Sequence, residues 1–370
     1  MIVSRSVSLL RLGALSLVAT AACATSASAQ TTLRLSTYVN EVDIRYQGFK
    51  KFGELVAAKT AGRVKVEVFP SSTLHGWSEG IDAVLGGVSD ISWMPADKRL
   101  PCYRVTSLYP MVVDMGKQIE LDAAYAALMK DEAAKAGLVP LINSNYSYDQ
   151  EWWFKTNGVD LAKLDGKLVR SIGPLVSMMI ETWGGKPVFI APKEVFQSAE
   201  RGVVDGINMG VATYSAWKLW GVMPHMVKAN MFYGNIIYMI NKRKFDTLSP
   251  ADQSAVLAAA RESEVWLKPE YEKSVDASIA DAVKQGGTVT SLAPAKRKTM
   301  VDAIAVKWKG EVDGACGADL ANKDVARANL LTAETLNAAP LRVRIATVTA
   351  GTLAFFMCHD CASVKARLVV

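Results

Sequence analysis

The stretch of this sequence that most limits its possible folds runs from Leu164 to Gly210. Its apolar periodicity predicts alternating strands and helices, at 167–170, 174–183, 187–190 and 193–201, with a third strand leading into 205–206. Pro174 and Pro192 suit the first turns of the helices, and Gly184 and Gly202 suit their ends. Such alternation predicts βαβ units with a parallel sheet, which bind ligands beyond the carboxyl ends of their strands.

Arg170 stands at one of these strand ends, beside a Gly-Pro turn. A guanidinium group matches a carboxylate bidentately, so an arginine in this place suits an anion-binding site. Position alone equally allows a surface arginine in a weak salt bridge.

Several motifs occur in one order along this stretch. They are a lysine-x-x-arginine strand (167–170), Gly-Gly-x-Pro-Val (184–188), Glu-Val-aromatic (194–196) and Gly-Val-Val-Asp-Gly (202–206). The order resembles the signature of the periplasmic substrate-binding proteins of tripartite ATP-independent periplasmic (TRAP) transporters. The run VEVFPSSTL at 66–74, followed by a helix and Gly-Val-Ser-Asp-Ile, resembles the first domain of the same proteins. The resemblance covers roughly residues 31–330.

The resemblance implies an α/β, two-lobed periplasmic-binding-protein fold with hinge-connected lobes. The expected divisions are lobe I at 31–149 and 235–275, lobe II at 150–234 and 276–330, and an atypical tail at 331–370. The long helical region from about 251 to 285 is expected to brace both lobes.

In the family that the chain resembles, the arginine equivalent to Arg170 binds the substrate carboxylate. Strand ends are expected to direct Tyr38 and Trp93 towards the ligand crevice. Trp152 and Phe154 share one face of a strand that enters the second lobe. Trp152 occupies the place where sialic-acid-type relatives carry a second arginine. We therefore expect a monocarboxylate whose apolar or aromatic body stacks on Trp152.

The residues after Gly206 also differ from some relatives, in which a glutamate joins a metal ion that bridges a keto acid. After Gly206 this chain has Asn208 and Met209 and lacks the corresponding glutamate, so no metal site is expected. The Asn208 amide is expected to contact a ligand oxygen, with Met209 beside it. Asp205 is expected to tie the strand end. Tyr233, near the predicted crossing between the lobes, completes the predicted site.

Residues 1–29 have the pattern of a cleaved secretory signal peptide, with an apolar run at 12–22 and Ala-Ser-Ala at 27–29. The mature chain is then expected to begin at Gln30, in the periplasm. A lipoprotein anchored through Cys23 fits less well, because the large aliphatic residue usual three positions earlier is absent. An uncleaved membrane anchor fits least, because a span requires about 20 apolar residues.

The cysteines left after cleavage are Cys102, Cys316, Cys358 and Cys361, and an oxidising compartment allows them to form disulfides. The sequence leaves their pairing open. Cys358 and Cys361 have the spacing of redox or zinc sites, but a single C-x-x-C motif without a second pair of ligands is weak support. A tail disulfide or free thiols fit this run better than a catalytic or zinc site. No role is assigned to the tail.

The charge pattern and motifs restrict the other classes of function. The 42 basic and 36 acidic residues give a formal charge of +6, and the basic residues are not striped with aromatics, so nucleic-acid binding has little support. The histidines are isolated and no nucleophile elbow, P-loop or Rossmann fingerprint occurs, so we predict no catalytic residue and no cofactor. The predicted function is delivery of an organic acid to TRAP membrane permease subunits. The alternatives are a receptor for a sensor or an ATP-driven importer, and a secreted enzyme acting on an organic acid.

Overall fold

The computed structural model describes residues 30–106, 108–109, 118–142, 150–231, 233–234 and 236–317. The predicted signal peptide with Cys23, the Cys358–Cys361 motif and the tail at 331–370 lie outside these residues.

Strands and helices alternate along most of the described chain. The strands are β1 (Thr31–Ser36), β2 (Val64–Phe69), β3 (Ile91–Met94), β4 (Leu108–Tyr109), β5 (Leu138–Ile142), β6 (Gln150–Phe154), β7 (Leu168–Ser171), β8 (Lys186–Phe189), β9 (Gly206–Gly210), β10 (His225–Lys228), β11 (Tyr233–Gly234), β12 (Ile237–Asn241) and β13 (Thr288–Ser291). The α-helices are α1 (Ile44–Lys59), α2 (Gly80–Leu85), α3 (Pro101–Thr106), α4 (Gln118–Lys135), α5 (Pro174–Thr182), α6 (Val195–Glu200), α7 (Val211–Ala216), α8 (Lys242–Asp246), α9 (Pro250–Lys284) and α10 (Pro294–Cys316). Short 3₁₀ helices occupy Trp77–Glu79, Pro192–Glu194 and Leu219–Gly221.

Eleven of the strands listed above form two mixed sheets, one in each lobe, and β4 pairs with β11 in a separate ribbon. The first has the order β2-β1-β3-β12-β5 and the second the order β13-β10-β6-β9-β7-β8. The chain leaves the first sheet after β5, builds most of the second, returns to the first at β12 and adds β13 to the second. These crossings connect the lobes. The predicted α/β, two-lobed architecture is confirmed.

The helix α9 spans both lobes. It is 35 residues long and packs against α1 of the first lobe and α7 of the second. Ser249 caps its start by accepting a hydrogen bond from the backbone N–H of Asp252. Against α1 the approach is close, because a Cβ on Gly48 would lie 2.6 Å from Cδ2 of Leu267. The long helix thus braces the two lobes as expected.

The second sheet brings Arg170 to the edge that faces the first lobe. Strand β7 pairs in parallel with β8 and with β9, and Arg170 is its penultimate residue. Helix α5 begins at Pro174, immediately after this strand end. Its buried face has helical spacing and consists of Leu175, Val176, Met179 and Ile180. Burial of these side chains fixes the turn that follows Arg170.

Two elements have no counterpart among the predicted ones. Pro101–Thr106 forms helix α3, and Thr288–Ser291 forms the edge strand β13, whose polar residues conceal it in the sequence. The cysteine pairing, which the sequence left open, is resolved for two residues, since Cys102 of α3 forms a disulfide with Cys316 at the end of α10. In the described part of the chain, no helix has the length and apolar character needed to cross a bilayer.

Candidate ligand-binding site

Arg170 is a buried cation held by neutral groups. Its side chain is 2% exposed, Nε donates to the carbonyl oxygen of Ile190 at 3.1 Å, and Nη1 donates to the carbonyl oxygen of Asn208 at 2.6 Å. Within the described ranges, no carboxylate forms an ion pair with it. Burial lowers the pKa of Arg170 to about 9, which still leaves the guanidinium charged at pH 7. A buried charge without a counter-ion is costly, so an anion would bind favourably here.

A small inner cavity lies against this guanidinium. Its lining residues come from both lobes and from the segment that connects them, and they are Tyr38, Trp77, Gln150, Arg170, Ile172, Pro192, Met209, Gly210, Thr213 and Ile236. Its volume is about 20 Å³, which is room for one water molecule. The inner cavity therefore fits the carboxylate group of a ligand and not a whole organic acid.

A wider outer cleft adjoins the inner cavity, since Trp77 and Ile172 line both. Its volume is about 390 Å³. Its lining residues again come from both lobes, and they are Trp77, Ser78, Ile81, Pro95, Ala96, Asp97, Ile172, Gly173, Pro174, Ser177 and Phe189. A volume of this size lies within the range of small-molecule sites.

Tyr38 forms an aromatic wall of the inner cavity. Its ring stacks on Trp93 at a centroid distance of 4.9 Å and meets the edge of Trp77 at 4.7 Å. Trp93 does not line the cavity. It is buried behind Tyr38 and also packs against Phe49 at 5.6 Å. Because Tyr38 covers it, Trp93 supports the wall from within the core of the first lobe.

A second buried arginine, Arg45, lies behind the wall formed by Tyr38. Its place near the site was not predicted from the sequence. Its Nε donates to Oδ1 of Asp43 at 2.8 Å, and its Nη2 donates to Oγ1 of Thr213, which lines the inner cavity from the second lobe. Its guanidinium carbon lies 5.0 Å from the ring centroid of Trp93. Polar residues at a helix start usually indicate solvent exposure. The available signal was Asp43, a helix-capping type two residues before it.

Burial raises the pKa of the Tyr38 hydroxyl, although Arg45 and Arg170 each lower it. With its pKa above the ordinary tyrosine value near 10, the hydroxyl keeps its proton at neutral pH. It can therefore donate a hydrogen bond to a ligand oxygen.

Trp152 and Phe154 share one face of β6, as predicted, but neither lines the inner cavity or the outer cleft. Trp152 is 0% exposed and its ring meets that of Trp183, at the end of α5, at a centroid distance of 5.0 Å. Phe154 is buried against Gly206 of the neighbouring strand. This face of β6 is covered by the core of the second lobe, so the two aromatic side chains pack against protein.

The neighbours Asn208 and Met209 point to opposite faces of β9. Arg170 pairs with Ile207, so Met209, two residues further on, shares the face of Arg170 and lines the inner cavity. Asn208 pairs with Trp152 on the other face, where its Nδ2 donates to the carbonyl oxygen of Glu151 at 3.1 Å. Asn208 thus serves Arg170 through its backbone carbonyl and not through its amide.

Tyr233 is placed by its backbone pairing, and Asp205 by a side-chain hydrogen bond. The backbone of Tyr233 pairs with Tyr109 in the short β4–β11 ribbon, and its side chain is outside the described residues. Asp205 ties the strand end, because its Oδ2 accepts a hydrogen bond from the backbone N–H of Leu168 at 2.8 Å. No cluster of three or more histidine, cysteine or acidic side chains suited to a metal occurs in the portion of the chain that is described.

The sequence matches the family model described as bacterial extracellular solute-binding protein, family 7, over residues 35–110 and 155–313. The chain belongs to this family. Family 7 members are solute-binding proteins, and the resemblance stated from the motifs is confirmed.

Several proteins similar to this family 7 chain bind organic acids. The 2,3-diketo-L-gulonate-binding periplasmic protein YiaO of Escherichia coli is 25% identical over 305 residues, which is 79% of this chain and 90% of that protein. The solved structure of DctP7, a Bordetella pertussis extracytoplasmic solute receptor binding pyroglutamic acid, has a TM-score of 0.73 and 23% identity and covers 80% of this chain and 99% of its own. A TRAP periplasmic solute binding protein from Desulfovibrio salexigens with bound orotic acid has a TM-score of 0.76 and 18% identity, with coverages of 82% and 99%. The two structures share the fold of the family 7 chain.

Proposed function

We propose that this protein is the periplasmic solute receptor of a TRAP transporter and binds an organic acid through its carboxylate. The observation that carries the proposal is Arg170, a buried guanidinium at the inner cavity without an acidic partner in the described ranges. Its Nε and Nη1 are fixed by the carbonyl oxygens of Ile190 and Asn208. For Nη2 the described residues provide no hydrogen-bond partner, so it is available to a ligand. Hydrogen bonds to charged groups contribute about 1.5–3 kcal/mol each.

The ligand that we propose is a monocarboxylate with an apolar or aromatic body. Among the residues that the structure describes, one guanidinium, that of Arg170, reaches the inner cavity, and it matches one carboxylate. The walls next to it are largely apolar or aromatic, being Tyr38, Trp77, Ile172, Pro192, Met209 and Ile236. These side chains take the part that the sequence assigned to Trp152. The Tyr38 hydroxyl adds a donor for the second carboxylate oxygen.

Binding is coupled to delivery through the two lobes. The inner cavity has walls from both lobes, so a ligand held between Arg170 and Tyr38 favours the closed arrangement, in which both walls contact it. Closure of this kind alters the outer surface that the two lobes present together. The altered surface is what the membrane permease would recognise. Export through the predicted signal peptide at 1–29 would place the receptor in the periplasm.

The carboxylate site is tested with Arg170→Lys, which keeps the charge and loses the planar fork. We expect one molecule of an organic acid to bind per chain and to be recovered unchanged, because the site binds and does not transform it. A ligand at about a hundred times its Kd adds about 2.7 kcal/mol of stability, which thermal unfolding detects. The panel is pyroglutamate, orotate, glucuronate, hexanoate and 3-phenylpropionate, followed by titration calorimetry of each acid that stabilises the protein.

The matched control is Arg201→Lys, an exposed arginine of the same lobe. Arg170→Lys should weaken binding of every active acid by about tenfold or more, because about one charge-assisted hydrogen bond is lost. Arg201→Lys should leave the affinity unchanged. Equal affinity in the two variants would contradict the carboxylate site. Steady conversion of an acid into a product would contradict the receptor function. Uptake of the labelled acid by vesicles carrying TRAP permease subunits, with and without the receptor, tests delivery.

A further inference from the structure

We propose that the outer cleft binds an extended apolar tail of the acid whose carboxylate Arg170 holds, and that Trp77 and Phe189 set the accepted tail length. This inference rests on the proposed function and narrows it. It makes the substrate an amphipathic carboxylic acid with an alkyl or aryl-alkyl chain, in contrast to a compact polyhydroxylated acid.

The volumes of the inner cavity and the outer cleft together suit a ligand that extends from one into the other. The inner cavity, at about 20 Å³, holds little more than a carboxylate group, whereas the outer cleft has about 390 Å³. Trp77 and Ile172 line both spaces, so the two spaces are neighbours separated by these two side chains. In the proposed binding mode, an acid anchored on Arg170 passes between Trp77 and Ile172 and places its remaining atoms in the outer cleft.

The chemistry of the outer cleft favours an apolar tail. Trp77, Ile81, Pro95 and Ala96 approach from the first lobe, and Ile172, Pro174 and Phe189 from the second. Two of the polar side chains in the cleft already have partners. Asp97 accepts a hydrogen bond from Nε of Arg99 at 2.9 Å, and Ser177 donates to Oγ of Ser171 at 2.9 Å. A chain bearing many hydroxyl groups would lose hydration here and regain few hydrogen bonds.

Phe189 is a large apolar side chain of the outer cleft that is exposed, which an apolar ligand tail would explain. It is the last residue of β8, pairs with Ser171 directly after Arg170, and is 57% exposed. Ligands of open α/β sheets bind beyond such strand ends. A large exposed aromatic side chain in the cleft gains stabilisation when an apolar ligand covers it. Trp77 faces it from the first lobe as a half-buried side chain.

The experiment measures binding of carboxylates that share one head group and differ in the tail. Titration calorimetry with acetate, butyrate, hexanoate, octanoate and 3-phenylpropionate gives affinity against tail length, and glucuronate serves as the polar comparison. Each buried methylene contributes about 0.8 kcal/mol, so we expect affinity to rise about fourfold per added methylene until the cleft is filled. Glucuronate should bind more weakly than hexanoate.

The variant Phe189→Ser should weaken binding of octanoate and 3-phenylpropionate by about tenfold and leave butyrate unchanged, because only long tails reach this ring. Its matched control is Phe196→Ser, since Phe196 is a 38% exposed phenylalanine of the same lobe that lines neither cavity. Both positions are exposed, so both variants should fold, and melting temperatures verify this. Trp77→Leu provides a second test from the facing lobe and should reduce the dependence on tail length.

Affinity that does not depend on tail length, tighter binding of glucuronate than of hexanoate, or equal binding by the Phe189 and Phe196 variants would overturn the inference. Each of these results leaves the carboxylate site intact as long as Arg170→Lys weakens binding of the acids by about tenfold or more. If Arg170→Lys binds all the acids as tightly as the wild type does, the proposed function fails as well. The two failures are thus distinguishable.

Discussion

The electrostatics of Arg170 decide what this site can hold. Two carbonyl oxygens fix the orientation of the guanidinium without neutralising it, and burial removes most of its hydration. Replacing lost water with neutral acceptors leaves the charged form less stable than in solvent, which is why the pKa of Arg170 falls to about 9. A carboxylate supplies the missing opposite charge.

This electrostatic state predicts how affinity depends on pH. Below about pH 9 the free protein carries a charged Arg170, and as the pH rises through that value the guanidinium loses its proton. The carboxylate ligand binds the charged form. Affinity should therefore be constant between about pH 6 and 8 and fall by up to tenfold per pH unit above about 9. Titration calorimetry from pH 6 to 10.5, with circular dichroism to verify folding, measures it. Constant affinity up to pH 10.5 would contradict the prediction.

At the scale of elements, the pairing of β6 with β9 positions the acceptor for Arg170. Their register places Trp152 opposite Asn208 and Phe154 opposite Gly206. The ring of Phe154 occupies the space where a side chain at Gly206 would lie. A glycine at this position therefore lets the two strands approach, and it fixes the carbonyl oxygen of Asn208 two residues later.

Gly206→Ala should consequently destabilise the protein by about 1–3 kcal/mol, because its methyl group would overlap the buried ring of Phe154. Chemical denaturation measures the free energy of unfolding. Gly221→Ala is the control, since no heavy atom lies within 4 Å of a Cβ there. Equal stability of the two variants would show that the strands can separate without cost. Affinity for the ligand should also fall in Gly206→Ala, because the acceptor of Arg170 moves.

At the scale of the whole molecule, the described chain is tied together by a long helix and by a disulfide. Helix α9 packs on α1 and on α7, and the Cys102–Cys316 disulfide joins residues 214 apart in the sequence. A long closed loop restricts the unfolded chain strongly, so such a bridge stabilises the folded state. The cleft can then close between two lobes that α9 already holds together through α1 and α7.

Replacing both Cys102 and Cys316 by serine should lower the free energy of unfolding by about 2–5 kcal/mol. Under reducing conditions, the free energy of unfolding of the wild type should fall by a similar amount. The free energy of unfolding of the double variant should be the same with and without the reductant. Affinity for the acid should be retained in the folded double variant, because the bridge lines neither the inner cavity nor the outer cleft. A wild type that is equally stable with and without reductant would contradict this role.

Much of the architecture was determined locally and could be read from the sequence. Strand β7, helix α5 and strand β8 lie within one residue of the predicted bounds, because apolar periodicity and the flanking turn residues act within a few residues of each other. The position of Arg170 at a strand end followed from the same local signals. Helix α3 and strand β13 were missed, since packing against α10 and pairing with β10 supply what their own residues do not indicate.

Only the tertiary structure decided which side chains surround Arg170. The sequence identified Tyr38 and Met209, which line the inner cavity, but it also proposed Trp93, Trp152, Phe154 and Asn208, which are buried elsewhere. Strand alternation separates Met209 from Asn208, yet the face that meets the cleft depends on which elements cover the other face. Trp77 and Phe189 have no local signal of proximity to the site. The sequence determined the elements and their caps, whereas packing of the two lobes determined the cavity, because its walls come from residues far apart in the chain.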